Sequence, residues 1–249
     1  MITIRNLTKK FGEKLAVDHL NLEVTRGEFF GFLGPNGAGK TTTIRMLVGL
    51  SHPTQGEIEI AGIDLKKEPV RAKLKIGHVP DSPYLYDKLS AREFLNFIGG
   101  LYRMERRQIE READFLLDYF EMTSWCSQMA EGYSHGMRQK TVVAAALLHN
   151  PEVIIIDEPL TGLDPHSGRL LKNILKERTK SGTTVFVSTH ILGIAEELSD
   201  RIGILNEGRL IACGTVGELM GMAVAQGENL EGLFLRLTRP QRPESVLST

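Results

Sequence analysis

The stretch GPNGAGKT, Gly34 to Thr41, restricts what this chain can fold into more than any other. It fits the spacing G-x-x-x-x-G-K-[ST], in which glycines let the backbone curl until successive N–H groups surround phosphate oxygens. Lys40 is then placed to reach β- and γ-phosphates, and the Thr41 hydroxyl to ligate Mg²⁺. Such a loop needs a strand before it and a helix after it. The apolar run FFGFL precedes it and the pattern IRMLVGL follows. These residues imply a nucleoside triphosphate site on a strand–loop–helix unit.

Further short apolar runs, KIGHVP, VIIID, TTVFVS and RIGILN, alternate with the helical patterns SGRLLKNILKE and ILGIAEEL. That alternation predicts an α/β fold with a mostly parallel, buried sheet. Between Tyr84 and Asn150 the pattern is helical, with Ile109, Ala113, Leu116, Leu117 and Phe120 recurring on one face. This segment reads as a helical subdomain inserted into the sheet. VIIIDEP ends one strand on Asp157 and Glu158, and ligands bind at the carboxyl ends of strands in open α/β sheets. Asp157 is placed to hold Mg²⁺ through water and Glu158 to polarise an attacking water. An adjacent pair lets one carboxylate face the metal while its neighbour faces the nucleophile.

The segment EGYSHGMRQK invites a hydrolase reading, with Ser134 beside His135. Sequence neighbours point their side chains apart, so His135 does not serve Ser134 as a base. Met137, Thr141, Ala144, Ala145 and Leu148 fall on one helical face. Ser134 and Gly136 therefore stand at a helix N-terminus, where free N–H groups favour an anion. A net charge of −1 argues against a global field for nucleic acid. Cys126 and Cys213 share no motif and read as reduced residues of a cytosolic protein. The polar N-terminus does not read as a signal peptide, and no apolar run is long enough to span a bilayer.

Taken in order, these motifs resemble the ATPase subunits of ABC transporters, over about Met1 to Leu219. GPNGAGKT matches the family's Walker A loop, YSHGM its signature sequence (usually LSGGQ), and IIIDE its Walker B strand. TGLD resembles the D-loop, and His190 in VSTHIL the switch histidine. The resemblance implies a P-loop NTPase (RecA-like) core, an N-terminal antiparallel β subdomain and the inserted α-helical subdomain at about 84–150. It divides the chain into a nucleotide-binding domain, 1–222, and a C-terminal helix and tail, 223–249. ATP and Mg²⁺ are the implied ligands. Phe11 stacks on adenine in this scheme with Val17 beside it, and Gly34, Pro35, Asn36, Gly37, Ala38, Gly39, Lys40, Thr41 and Thr42 hold the phosphates. Ser134 and Gly136 meet the γ-phosphate of ATP held by a second subunit. Glu158, His190 and Lys40 carry catalysis, and Thr41, Asp157 and Asp81 are the metal candidates. Asp164 works across the subunit interface.

Several positions depart from the family pattern. Tyr133 replaces leucine, His135 a glycine and Met137 a glutamine. His135 reads as an accommodated variant. Asp81 stands where the family has a glutamine or, in some branches, a glutamate, and its shorter reach implies contact through water or a loop-capping role. The resemblance further implies a homodimer or heterodimer on the cytoplasmic face of the membrane, paired with a separate integral membrane permease. Within the family, YSHGMRQK, IGHVPDSPYLYDKLSAREFL and LEGLFLRLT look most like the stand-alone ATPases of drug, antibiotic, peptide or polysaccharide exporters. Two rival readings stay open from the sequence: a soluble ABC ATPase acting on ribosomes or DNA, and an ATP-gated regulatory module with little turnover.

Overall fold

The computed structural model describes residues 1–238, and the expected tail at 239–249 lies outside them. β1 (Ile2–Phe11) and β2 (Lys14–Val24) form an antiparallel hairpin, followed by the fully buried β3 (Phe29–Leu33) and by α1 (Lys40–Leu47). β4 (Gln55–Ile60), β5 (Ile63–Asp64), α2 (Pro69–Lys73) and β6 (Ile76–Val79) come next. The helical segment holds α3 (Ala91–Leu101), α4 (Arg106–Tyr119), a 3₁₀ turn at Ala130–Gly132 and α5 (His135–Leu148). Then follow β7 (Val153–Asp157), α6 (Pro165–Lys180), β8 (Thr184–Thr189), α7 (Leu192–Leu198), β9 (Arg201–Asn206) and β10 (Arg209–Thr215). α8 (Val216–Val224) and α9 (Leu230–Thr238) close the described chain.

Two sheets result. The smaller is antiparallel, in the order β2-β1-β4-β5, and the larger runs β10-β9-β3-β8-β7-β6, parallel except at β10. Side chains alternate across the larger sheet. Ile154 and Ile156 of β7 and Val185 and Val187 of β8 face the core shared with the helical segment. Val153, Ile155 and Phe186 face the opposite core, with α1 and the smaller sheet. β10 is a strand the sequence pattern leaves unassigned, because its half-exposed edge position lacks the apolar run of its neighbours.

The expected domain boundary at 222/223 falls inside α8. A capping box formed by Thr215 and Glu218 starts that helix, and Leu219 and Ala223 bury against Leu33, Ile202 and Ile204. Leu230 and Leu233 of α9 join the same cluster, so the C-terminal helices pack on the main sheet.

The far end of β6 is held by an aromatic pair. Tyr102 and His149 stack with centroids 3.6 Å apart, and both donate to the Ile76 carbonyl, at 3.0 and 3.1 Å. Burial lowers the His149 pKa to about 4, only partly offset by that hydrogen bond. A histidine depressed in the folded state protonates first in the unfolded chain. Stability is therefore complete above the unfolded value near 6.5 and falls as pH drops toward 4. Between pH 7 and pH 5 we expect a loss of about 1–2 kcal/mol from this residue. Urea unfolding at the two pH values should show it, and His149→Phe should be less acid-sensitive than the natural chain. Equal sensitivity in both would assign the loss elsewhere.

Candidate active site

The parallel register brings three strand ends together. Leu33 of β3 lies opposite Thr189 of β8, and Ser188 of β8 opposite Asp157 of β7. The loop leaving β3, the acidic pair leaving β7 and His190 leaving β8 thus share one edge of the sheet.

The Gly34–Thr41 loop is pressed from behind and open in front. A Cβ on Gly34 would stand 2.4 Å from the Leu205 carbonyl, and one on Gly39 would stand 2.5 Å from that of Ala16. Gly39 also has φ +107°, a conformation only glycine adopts without strain. The Gly208 N–H donates to Ala38 O at 2.9 Å, tying the loop to the β9–β10 turn. At the front, Asn36 and Gly37 are exposed. Pro35, Thr41 and Thr42 are half-buried, and α1 starts at Lys40 directly under the loop. Lys40 folds back so that Nζ donates to Gly34 O at 2.7 Å and to Pro35 O at 3.1 Å. Burial lowers its pKa, and the nearby Glu158 and Asp157 charges raise it again in part.

Asp157 is buried and accepts from Thr41 Oγ1 at 2.7 Å on one oxygen and from Ser188 Oγ on the other. Glu158 turns away from it because its φ is +52°, an uncommon conformation for a side chain larger than glycine. Its N–H donates to Ser188 O at 3.0 Å. One carboxylate oxygen lies 2.8 Å from His190 Nδ1, and the other accepts from Thr189 Oγ1 at 3.3 Å. Two adjacent acids therefore face different partners. Ser188 and Thr189 were not among the sequence candidates; their signal is their position at a strand end immediately before His190.

The Thr41 hydroxyl and the Asp157 carboxylate form a compact set of hard oxygens with one charge. Mg²⁺ is commonly bound by one or two carboxylates together with substrate phosphates, so these residues fit that ion. Asp81 is exposed and its carboxylate accepts from Ser82 N at 2.9 Å. Among the described residues, no hydrogen bond joins it to Thr41 or Asp157.

Phe11 is 55% exposed at the end of β1, with the Lys9 ammonium 4.9 Å from its ring centroid. Val17 corrects the expectation placed on it. It has 0% exposure and packs in the core beneath the loop, so its side chain has no surface to offer a nucleotide. The neighbouring Ala16, whose carbonyl backs Gly39, is the partly exposed residue there.

Ser134 is the N-cap of α5 and accepts from Met137 N at 3.3 Å. Among the described residues, neither Ser134 nor Gly136 is hydrogen-bonded to the Gly34–Thr42 loop. Tyr133 is buried, donating to Gln128 O and accepting from Ala91 N, both at 2.9 Å. A phenol at this position thus ties α5 to the start of α3, which a leucine cannot do. Asp164 caps α6 through His166 N, Ser167 N and Ser167 Oγ; these hydrogen bonds, led by that of the Ser167 hydroxyl, hold its pKa at about 2.

Comparisons with known proteins agree with this geometry. The family model described as ABC transporter matches residues 17–161. The linearmycin resistance ATP-binding protein LnrL of Bacillus subtilis (strain 168) is 39% identical over 219 residues, which are 88% of this chain and 70% of LnrL. A solved ATP-binding subunit of an ABC transporter superposes with a TM-score of 0.91 at 32% identity, covering 96% of this chain and all of that one. The cassette MJ0796, solved as a dimer in a post-hydrolysis state bound to ADP and Pi, gives a TM-score of 0.79 at 30% identity over 86% of this chain and 98% of its own.

Proposed function

Since this chain belongs to the ABC transporter family as an ATP-binding, ATP-hydrolysing subunit, we propose that it powers export through a separate integral membrane permease. The observation that carries the catalytic reading is the meeting of the phosphate loop, Asp157–Glu158 and His190 at one sheet edge. In this reading the loop N–H groups and Lys40 hold the triphosphate. Phosphoryl transfer gains most from positioning and charge neutralisation. Mg²⁺, held by Thr41 and through water by Asp157, supplies part of that neutralisation when bound. Glu158 accepts a hydrogen bond from the attacking water, while His190 orients the Glu158 carboxylate and faces the γ-phosphate. Phe11 stacks on the adenine.

Ser134 and Gly136 belong to the other half of a composite site. They cover ATP held by a second subunit, so ATP binding draws two subunits together and product release parts them. Residues 1–222 act as the nucleotide-binding domain, with the helical subdomain at about 84–150. The C-terminal helices form an appendage to it. No helix among the described residues is long and apolar enough to cross a membrane. The subunit works on the cytoplasmic face, attached through its permease.

An exposed aromatic cluster supports that attachment. Tyr86 meets Tyr84 at 5.9 Å and Phe97 at 5.6 Å, both edge-on, beside the loop that leaves β6. Exposed aromatics grouped in this way suit an interface. A tagged chain purified from detergent-solubilised cells with Mg-ATP should bring down a polytopic membrane protein in fixed stoichiometry. Phe97→Glu should lower that recovery at least about tenfold, since a charge in a buried aromatic contact costs well above 1.4 kcal/mol. Recovery of ribosomes or nucleic acid in place of a membrane protein would overturn the exporter reading.

A further inference from the structure

Thr189, the last residue of β8, touches the phosphate loop, the acidic strand end and the start of α7 at once. Its carbonyl accepts from Gly34 N, the first N–H of the phosphate loop, at 3.4 Å. Its hydroxyl donates to one Glu158 carboxylate oxygen at 3.3 Å and accepts from Ile191 N, at the head of α7, at 3.1 Å. A hydroxyl has one proton and two lone pairs. The Ile191 N–H takes a lone pair, which leaves the proton for the carboxylate.

Glu158 has need of such a hold. Its φ of +52° is a conformation that persists only where the surroundings over-determine it. The side chain ends between two partners, His190 Nδ1 and Thr189 Oγ1, which differ in freedom. The His190 side chain is 48% exposed, so its ring can turn on the solvent side. Thr189 has 0% exposure, its backbone pairs with Leu33 of β3, and β-branching restricts its χ1. The hydroxyl is therefore the fixed point and the imidazole the movable one. Because the carbonyl that receives the phosphate loop belongs to the same residue, the spacing from loop to carboxylate is set by the covalent geometry of one threonine.

From these contacts we propose that Thr189 is a positioning residue for hydrolysis. Its buried hydroxyl fixes one Glu158 oxygen relative to the phosphate loop, so that the remaining lone pairs of the carboxylate meet the attacking water in one orientation. The inference rests on the reading of Glu158 as the acceptor for that water and adds the group that sets its aim. Misplacing a reacting group by about 1 Å costs about 10²-fold in rate, so one hydrogen bond to the acceptor has a measurable effect.

The test is ATP turnover by the full chain with Thr189→Val and Thr189→Ser, each made alone, and with Thr189→Val added to Glu158→Gln. Thr189→Val keeps the branched shape without the hydroxyl and should lower kcat at least about tenfold, with KM for ATP changing less than about threefold. Thr189→Ser retains the donor and should stay within about threefold of the natural kcat. In the Glu158→Gln background, Thr189→Val should lower the residual single-turnover rate by less than about twofold, because the carboxylate it aims is gone. A smaller loss from Thr189→Val alone, an equal loss in both backgrounds, or a loss carried by KM would overturn the proposal and leave Glu158 in its role. Natural turnover in Glu158→Gln would overturn the reading of Glu158 and the proposal with it. If Thr189→Val does not fold, Thr189→Ala against Thr189→Ser decides the matter, since alanine removes the hydroxyl without adding bulk. Equal kcat in those two would overturn the proposal.

Discussion

Glu158→Gln is expected to lower steady-state ATP turnover by about 10²–10⁴-fold, the range associated with losing a positioned proton acceptor. The geometry makes the expectation specific to this acid. Asp157, its neighbour, is already held on both oxygens by Thr41 and Ser188, whereas Glu158 is directed by its positive φ toward His190 and Thr189. Glutamine preserves the size of the side chain and can still engage His190 and Thr189, so the fold should survive. What it lacks is the charge that orients and deprotonates water. ATP binding should persist, and with hydrolysis blocked the Mg-ATP form should accumulate as a dimer. Phosphate release and size-exclusion chromatography with and without Mg-ATP check both halves. Turnover within about tenfold of the natural chain would remove Glu158 from the chemistry.

Lys40→Met separates binding from stability. In the structure the ammonium is buried and, among the described residues, donates to the Gly34 and Pro35 carbonyls alone, and burial pushes its pKa down. Such a group carries a desolvation cost that a bound phosphate would relieve with charge-assisted hydrogen bonds. Those bonds are worth about 1.5–3 kcal/mol each, so ATP affinity should fall by about 10–10²-fold or more. Unfolding free energy should change by no more than about 1 kcal/mol, because relief of the buried charge opposes the loss of a partner for the Gly34 carbonyl. Methionine keeps the packing of the alkyl stem. Nucleotide titration and urea unfolding of the same variant give the two numbers, and a stability loss as large as the affinity loss would make Lys40 a structural residue.

The two substitutions act on parts of the site that were legible to different degrees. The phosphate loop is written within eight consecutive residues, and its glycines, lysine and threonine act through local backbone geometry. Asp157 and Glu158 are nearly as plain, since a buried apolar run ending in charge marks a strand's carboxyl end. The same reasoning gave the two acids different roles but could not name their hydrogen-bond partners, because Ser188, Thr189 and His190 lie about thirty residues away and meet them only through the β7–β8 register. It also misassigned Val17. The family resemblance implied a ligand contact there, whereas strand alternation turns that side chain into the core.

The sequence by itself determined the alternation of strands and helices, the phosphate loop, the acidic strand end, the helix N-terminus at Ser134 and, through motif order, the family. These follow from local spacing: which residues share a face, which backbone angles glycine permits, which groups a helix end leaves free. Only the tertiary structure decided that Leu205 and Ala16 press the loop from behind, that Tyr133 ties α5 to the start of α3, and that α8 and α9 pack on the main sheet. Each of these depends on which strands pair and how closely two backbones approach. Such contacts join residues far apart in the chain, and no local pattern of side chains encodes the distance between them.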